Sequence, residues 1–362
     1  MRSVANRHES RRLSAYLHAI GTAVPGHDVH HAFIAWARGQ LDDRHRKLFD
    51  RMAARSGIGH RWSVLPQASG GGSPIEPGGF YAPDPLPGTA ERMRVYAGAA
   101  PQLALDAVAA LREQVALGDI THLVVASCTG FVAPGVDQII AARLALSAQT
   151  ERLLVGFMGC YAAVAALRRA RHIVRSEPQA RVLVVTVELS TLHLQPATEI
   201  EPLLAMLQFG DGAAAALVTG DRHGFAIDAP FAATLPDSAD LIRWDVTDRG
   251  FAMHLSGAVP GRIGAALADP ALAARVTGGR DVDAWAVHAG GRSILDAVAG
   301  ALSLDPHALD ASRGVLADNG NMSSATLMFV LARLLAGPRV AHGVALAFGP
   351  GLAAEGFAFA SA

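Results

Sequence analysis

An α/β fold is what this 362-residue sequence predicts, and three features carry the prediction. Apolar, β-branched runs such as His122-Leu123-Val124-Val125-Ala126 and Arg181-Val182-Leu183-Val184-Val185-Thr186-Val187 lack polar alternation, so they read as strands covered on both faces. Alanine- and leucine-rich segments at 101–115 and 162–174 lie between such runs and read as helices. The strand, turn and helix pattern then recurs later in the chain, and the two halves read as duplicates about Thr219-Gly220-Asp221-Arg222. The expected organisation is sheets covered by helices, in an N-terminal half over 1–222 and a C-terminal half over 223–362.

In chain order, Met1 to Arg12 is polar and lacks the apolar centre of a signal peptide. Three closely spaced histidines follow, His27, His30 and His31, without the further ligands a metal site needs. Pro66 to Gly88 is dense in proline and glycine and predicts an irregular surface loop; no Lys-Ser/Thr follows its glycines, so it is no phosphate loop. The apolar run Arg152 to Gly159 leads into Cys160 and then the helical segment Tyr161 to Arg171. Asp283 to Val287 is a short strand, His288-Ala289-Gly290-Gly291 a turn, and Arg292 to Leu302 a helix. Asp318 to Thr326 is a turn entering the helical run Leu327 to Leu335.

Composition narrows the function. The chain is 51% hydrophobic with a net charge of −1, so no basic excess draws it to nucleic acid or an anionic membrane. No uninterrupted apolar run is long enough to span a bilayer. Cys128 and Cys160 are the only cysteines, which gives no disulfide framework and predicts a reducing, cytoplasmic setting.

The chemistry-bearing residues sit at the strand-to-helix junctions. A thiol at a helix N-terminus faces unpaired N–H groups and the positive end of the helix dipole, both of which favour the thiolate. With Cys160, His288 and Asn321 at three such junctions, the chain holds a nucleophile, a base and an oxyanion donor. Each residue alone also fits a plainer role: a buried thiol, a core histidine, a helix cap.

Together, Gly159-Cys160, Phe209-Gly210-Asp211-Gly212, His288-Ala289-Gly290-Gly291, Gly320-Asn321-Met322-Ser323-Ser324-Ala325 and Phe348-Gly349-Pro350-Gly351 resemble the type III polyketide synthases, the chalcone-synthase-like family, in order and spacing. Among the departures from its pattern, Ala289 stands where the family has proline, and Met253 where a gatekeeping phenylalanine is usual. The resemblance implies a thiolase-like fold, two similar halves stacked as αβαβα, and a homodimer. It implies no cofactor, with acyl-CoA and malonyl-CoA as substrates. Cys160 would hold the starter as a thioester, and decarboxylative Claisen condensation would extend it before closure to a pyrone or a resorcinol-type ring.

It also implies site roles. Phe209, Met253, Cys128, Trp244, Ala133, His193, Ser323, Phe348 and Gly349 would line or shape the substrate cavity. Arg51 and Arg55 would meet CoA phosphates, a third basic position being Leu48 here. The alternatives are a ketoacyl-carrier-protein synthase III, whose His-Gln-Ala-Asn and Gly-Asn-Thr-Ser motifs this chain lacks, and a silent acyl-CoA-binding protein of the same fold.

Overall fold

The computed structural model describes residues 14–362; the polar run Met1–Arg12 lies outside them. The chain opens with β1 (Ala15–Ala23), β2 (His27–Asp28), α1 (His30–Gly39), α2 (Asp43–Ala54) and β3 (Trp62–Ser63). Asp42 caps α2 by accepting a hydrogen bond from the His45 N–H. An irregular stretch leads to α3 (Thr89–Arg112). Then come β4 (His122–Ser127), α4 (Val136–Arg143), β5 (Glu151–Gly156), a 3-10 turn at Gly159–Tyr161, α5 (Ala162–Ser176) and β6 (Val182–Leu189). After α6 (Ile200–Met206) and β7 (Asp211–Thr219), the chain turns over 220–224 into β8 (Phe225–Thr234). A hairpin of β9 (Ile242–Thr247) and β10 (Gly250–Leu255) precedes α7 (Val259–Leu267) and α8 (Pro270–Thr277). The rest is β11 (Ala284–Val287), α9 (Arg292–Ala301), α10 (Asp310–Asn319), α11 (Ser324–Leu335), β12 (Gly343–Gly349) and β13 (Ala353–Ser361).

Two differences from the sequence reading have physical causes. The helix expected from Pro101 begins at Thr89, its first turn closed by the Glu91 carboxylate accepting from the Gly88 N–H (3.0 Å). Pro101 therefore sits inside the helix and is buried there. The Pro66–Gly88 stretch is irregular but is not a surface loop throughout. Ala68, Ser73 and Tyr81 are buried, and the Tyr81 hydroxyl donates to the Thr191 carbonyl (2.8 Å).

Nine strands form one sheet in the order β11-β12-β13-β8-β1-β7-β6-β4-β5. The order is mirrored about the β1–β8 contact. On one side β1-β7-β6-β4 and on the other β8-β13-β12-β11 repeat two antiparallel pairings followed by a parallel one. Side-chain alternation sorts the core into layers. Ala214, Ala216 and Val218 of β7, with Ala345 and Ala347 of β12, pack with α5 and α11 between the two halves. The opposite faces, Ala213, Ala215 and Leu217 of β7 and Val344 and Leu346 of β12, pack outward beneath α3 and beneath α7 and α9 respectively. The result is five layers, helix, sheet, helix, sheet, helix, and the buried central helices α5 and α11 bring their N-termini to one place.

Candidate active site

Cys160 lies in the 3-10 turn that opens α5, as the strand-to-helix reading expects. Two glycines let neighbouring chain approach it. Gly159 has φ of +70°, and a Cβ there would lie 2.4 Å from the Pro350 ring. At Gly349 a Cβ would lie 2.6 Å from the Tyr161 ring and 3.3 Å from the Cys160 nitrogen.

Cys160, His288, Asn321 and Ser323 line one apolar cavity of about 40 Å³, together with Cys128, Phe348 and Gly349. His288 follows β11, held by its N–H donating to the Leu346 carbonyl (2.8 Å), and both ring nitrogens are buried without a partner. Asn321 precedes α11. Its side-chain nitrogen donates to the Gly290 carbonyl (3.3 Å), and its oxygen accepts from the Ser323 N–H (2.8 Å). Ser323 has φ of +46°, a left-handed conformation that is strained for a residue with a Cβ. Asn321 is also paired with the segment carrying Phe209: the Asn321 N–H donates to the Gln208 carbonyl and the Gly210 N–H to the Asn321 carbonyl (2.8 and 3.0 Å).

Burial dominates the electrostatics. It pushes the Cys160 thiol up to about 12, with Ser323 and Asn321 beside the sulfur pulling the other way. It pushes the His288 imidazole down to about 3. Each ion alone is disfavoured, so a helix N-terminus does not by itself supply a thiolate here.

Beneath the cavity lies Glu188, which the sequence reading missed. One carboxylate oxygen accepts from the Cys128 N–H (2.9 Å) and the Thr129 hydroxyl (3.0 Å), the other from the Ser324 hydroxyl at the start of α11. Burial pushes its pKa up to about 7 against these hydrogen bonds. Its signal was a lone carboxylate in the apolar run Val187-Glu188-Leu189. The Cys128 sulfur accepts from the Gly159 N–H (3.0 Å), which ties the two thiol-bearing turns together.

A second hollow of about 90 Å³ adjoins the first. Ser190, Phe209, Trp244 and Met253 line both, and so form the partition between them. Trp244 and Met253 face each other across the β9–β10 hairpin. His193 lines only the second hollow, and its ring nitrogens are committed. Nδ1 accepts from the Phe251 N–H (3.0 Å), which leaves Nε2–H to donate to the Thr129 carbonyl (2.8 Å). Ala133, expected at the cavity, lines neither hollow; the turn after β4 carries it outward to an exposed position.

A groove of about 870 Å³ leads in from the surface, sharing Leu255, Gly290 and Ile294 with the Cys160 cavity. Arg55, Leu48 and Met52 line it. Arg51 is exposed but is not part of its wall; Arg55 is the residue that closes α2, and the two do not share the groove. Arg292 lines the groove beside Arg55, its Nη1 donating to the Arg55 carbonyl (3.4 Å); in the sequence it reads only as the start of a helix. Among the described residues no group of His, Cys, Asp and Glu side chains is arranged to hold a metal ion, and no helix is long and apolar enough to cross a membrane.

A thiol, an imidazole and a carboxamide around one apolar hollow, reached by a groove, at the helix N-termini of a mirrored five-layer fold define a condensing enzyme of the thiolase-like kind. Residues 2–222 match the family described as chalcone and stilbene synthases, N-terminal domain, and residues 227–362 match the corresponding C-terminal domain. The chain is 37% identical over 291 residues to a bisdemethoxycurcumin synthase of Oryza sativa subsp. japonica, covering 73% of this chain and 72% of that protein. It is 34% identical over 287 residues to the alpha-pyrone synthesis polyketide synthase-like Pks18 of Mycobacterium tuberculosis, covering 74% and 72%. The crystal structure of PKS-I from the brown alga Ectocarpus siliculosus superposes with a TM-score of 0.87 at 27% identity, over 98% of this chain and all of that one. The chain belongs to the chalcone and stilbene synthase family and is a type III polyketide synthase, a decarboxylating condensing acyltransferase. Such enzymes act on CoA thioesters without a resident cofactor.

Proposed function

We propose that this enzyme loads an acyl-CoA starter on Cys160 and extends it with malonyl-CoA, each half of the chain, 1–222 and 223–362, bringing one side of the site. Cys160 attacks the thioester while its proton passes to His288, and CoA leaves through the groove. Malonyl-CoA then loses carbon dioxide, so no side-chain base is needed to make the carbanion. The His288 ring, as a donor, and the Asn321 amide hold the enolate oxygen; one such donor is worth about 3 kcal/mol. The carbanion attacks the Cys160 thioester, and the product closes to a pyrone or a resorcinol-type ring.

The observation that carries the reading is the pair of unpartnered His288 nitrogens in the same apolar cavity as the sulfur. Phe209, Met253, Trp244, Cys128, Ser323, Phe348 and Gly349 shape the space for the acyl chain. His193 contributes a ring face. Arg55 and Arg292, neighbours on the groove wall, suit CoA phosphates by the planar geometry of the guanidinium. Arg51, exposed on α2 outside the groove wall, is a further candidate for CoA phosphates.

The reading includes a homodimer. Leu153 and Leu154 on the edge strand β5, with the stacked Phe131 and Phe157 rings, leave an apolar patch at the sheet edge, and Ala133 lies in the same turn as Phe131. It includes a cytoplasmic, reducing setting without stable membrane association, which suits two free buried thiols. Purified protein given malonyl-CoA and hexanoyl-CoA is expected to release carbon dioxide and form a polyketide. A Cys160→Ala variant that extends the chain at the normal rate would overturn the nucleophile assignment.

A further inference from the structure

Among the described residues seven large apolar side chains are exposed. Four of them, Phe131, Leu153, Leu154 and Phe157, belong to the patch at the sheet edge. Two of the other three, Leu48 and Met52, stand one turn apart on α2, 38% and 44% exposed. Exposed apolar groups that lie together within a rim of charge mark interaction surfaces.

The charges around this pair are of one sign. Arg44, Lys47, Arg51 and Arg55 are all exposed on α2 or at its end. At 3.6 residues per turn, these four and the two apolar side chains fall on one face, opposite the buried Phe49 and Ala53. None of the four cations has a carboxylate partner among the described residues. The two acidic residues of α2 are engaged elsewhere, Asp43 by Arg46 (3.1 Å) and Asp50 by Arg38 (3.3 Å). In a chain of net charge −1, four unpaired cations on one helix face are a local excess.

Leu48, Met52 and Arg55 line the groove that runs to the Cys160 cavity, whereas Arg44 and Lys47 lie outside it. The acidic side chains of the groove are engaged as well. Asp296 pairs with Arg313 (2.7 Å) and Arg292 (3.6 Å), and Glu201 accepts from the Gly257 N–H (3.2 Å). A free CoA thioester brings a single nucleotide to the mouth of the groove, enough for Arg55 and a neighbour. The basic face runs on for about 17 Å from Arg55 to Arg44, at 1.5 Å per residue. An acidic protein that carries its acyl group on a flexible arm fits the whole of it. Its carboxylates meet the cations, its apolar side chains cover Leu48 and Met52, and its arm fills the groove. An anionic membrane matches the charges but has nothing to send down the groove.

Resting on the polyketide reading, we propose that this face of α2 docks an acidic carrier protein whose phosphopantetheine arm delivers the acyl starter through the groove to Cys160. The arm ends in the same thiol as CoA, so one groove serves both donors. The transfer is a thioester exchange. The Cys160 sulfur bonds to the acyl carbon, the bond from that carbon to the arm's sulfur breaks, and the arm leaves as a thiol with the cysteine's proton.

The test compares acylation of Cys160 by hexanoyl-CoA and by an acidic acyl carrier protein bearing a hexanoyl-phosphopantetheine arm, timed by intact-protein mass spectrometry. Because Arg44 and Lys47 lie outside the groove, Arg44→Glu combined with Lys47→Glu separates the two donors. Loading from the carrier is expected to fall about ten-fold or more, and loading from CoA to stay within about two-fold of the unaltered enzyme. In the unaltered enzyme, raising salt from about 50 mM to about 500 mM is expected to slow carrier loading more than CoA loading, a measurement that needs no variant. Carrier loading that ignores the charge reversal would overturn the proposal, and so would equal loss with both donors. Binding to phosphatidylglycerol vesicles that the double variant loses, with carrier loading unchanged, would put a membrane on this face instead. If CoA acylates Cys160 and the carrier never does, the docking proposal fails alone. If neither does, the polyketide reading fails with it.

Discussion

The turns after β4 and β11 occupy mirrored places in the two halves, yet their polar groups are treated in opposite ways. After β4, the Cys128 N–H and the Thr129 hydroxyl are both bound by Glu188, and the Cys128 sulfur takes the Gly159 N–H. After β11, the His288 ring has no partner at all. The helix starts show the reverse: α5 starts beside a free thiol, whereas α11 starts with Ser324 bound to Glu188. Glu188 thus satisfies one turn from the first half and one helix start from the second. The thiol and the His288 ring, one from each half, are left unsatisfied, so that substrate becomes the missing partner.

Substitutions on the unsatisfied side should cost activity, and those on the satisfied side should cost stability. Cys160→Ala is expected to abolish product formation while leaving the melting temperature near that of the unaltered enzyme, measured by product assay and calorimetry. Asn321→Ala should lower kcat for condensation by about 100- to 1000-fold, the effect of removing one oxyanion donor. Glu188→Ala leaves three buried donors unpaired and should destabilise by several kcal/mol, at about 1–3 kcal/mol each; equilibrium denaturation reads this directly. A Glu188→Ala protein of full stability would undo the contrast between the two turns.

Acid sharpens the comparison further. Burial holds His288 and His193 at about 3, whereas in the unfolded chain they take protons near 6.5. Between those values the unfolded state binds more protons, so their contribution makes stability fall as pH drops from about 6.5. Glu188 and Asp211, pushed up to about 7 and about 6, act oppositely: they hold protons that the unfolded chain gives up, and their contribution fades as pH rises from about 4 to 7. The His288→Gln variant should therefore lose less melting temperature than the unaltered enzyme between pH 6.5 and pH 5. A smaller effect is expected at the groove. Arg292→Ala should raise KM for CoA thioesters about two- to five-fold, as for an exposed charge pair, and leave KM for the phosphate-free N-acetylcysteamine thioesters unchanged.

Much of this was legible in the sequence because it is local. Uninterrupted apolar runs gave the strands, and Cys160, His288 and Asn321 stand at junctions marked by glycine. What was not legible depends on contacts across distance. Arg61 looks like any surface arginine until the carbonyls of 206 and 209 close around it. Arg292 reads as a helix start until the end of α2 is folded beside it. Pro66–Gly88 has loop composition, yet Tyr81 anchors it to Thr191 and makes it a cavity wall. Ala133 follows a strand into a turn, and only the path of that turn decides that it faces outward.

The central claim is tested most directly by intact-protein mass spectrometry, followed by peptide mapping, of enzyme mixed with hexanoyl-CoA in the absence of malonyl-CoA. One hexanoyl group on Cys160 is expected, formed far more slowly in His288→Gln at neutral pH and recovering as pH rises. Acylation of Cys128 instead, or equal rates with and without the imidazole, would contradict the account.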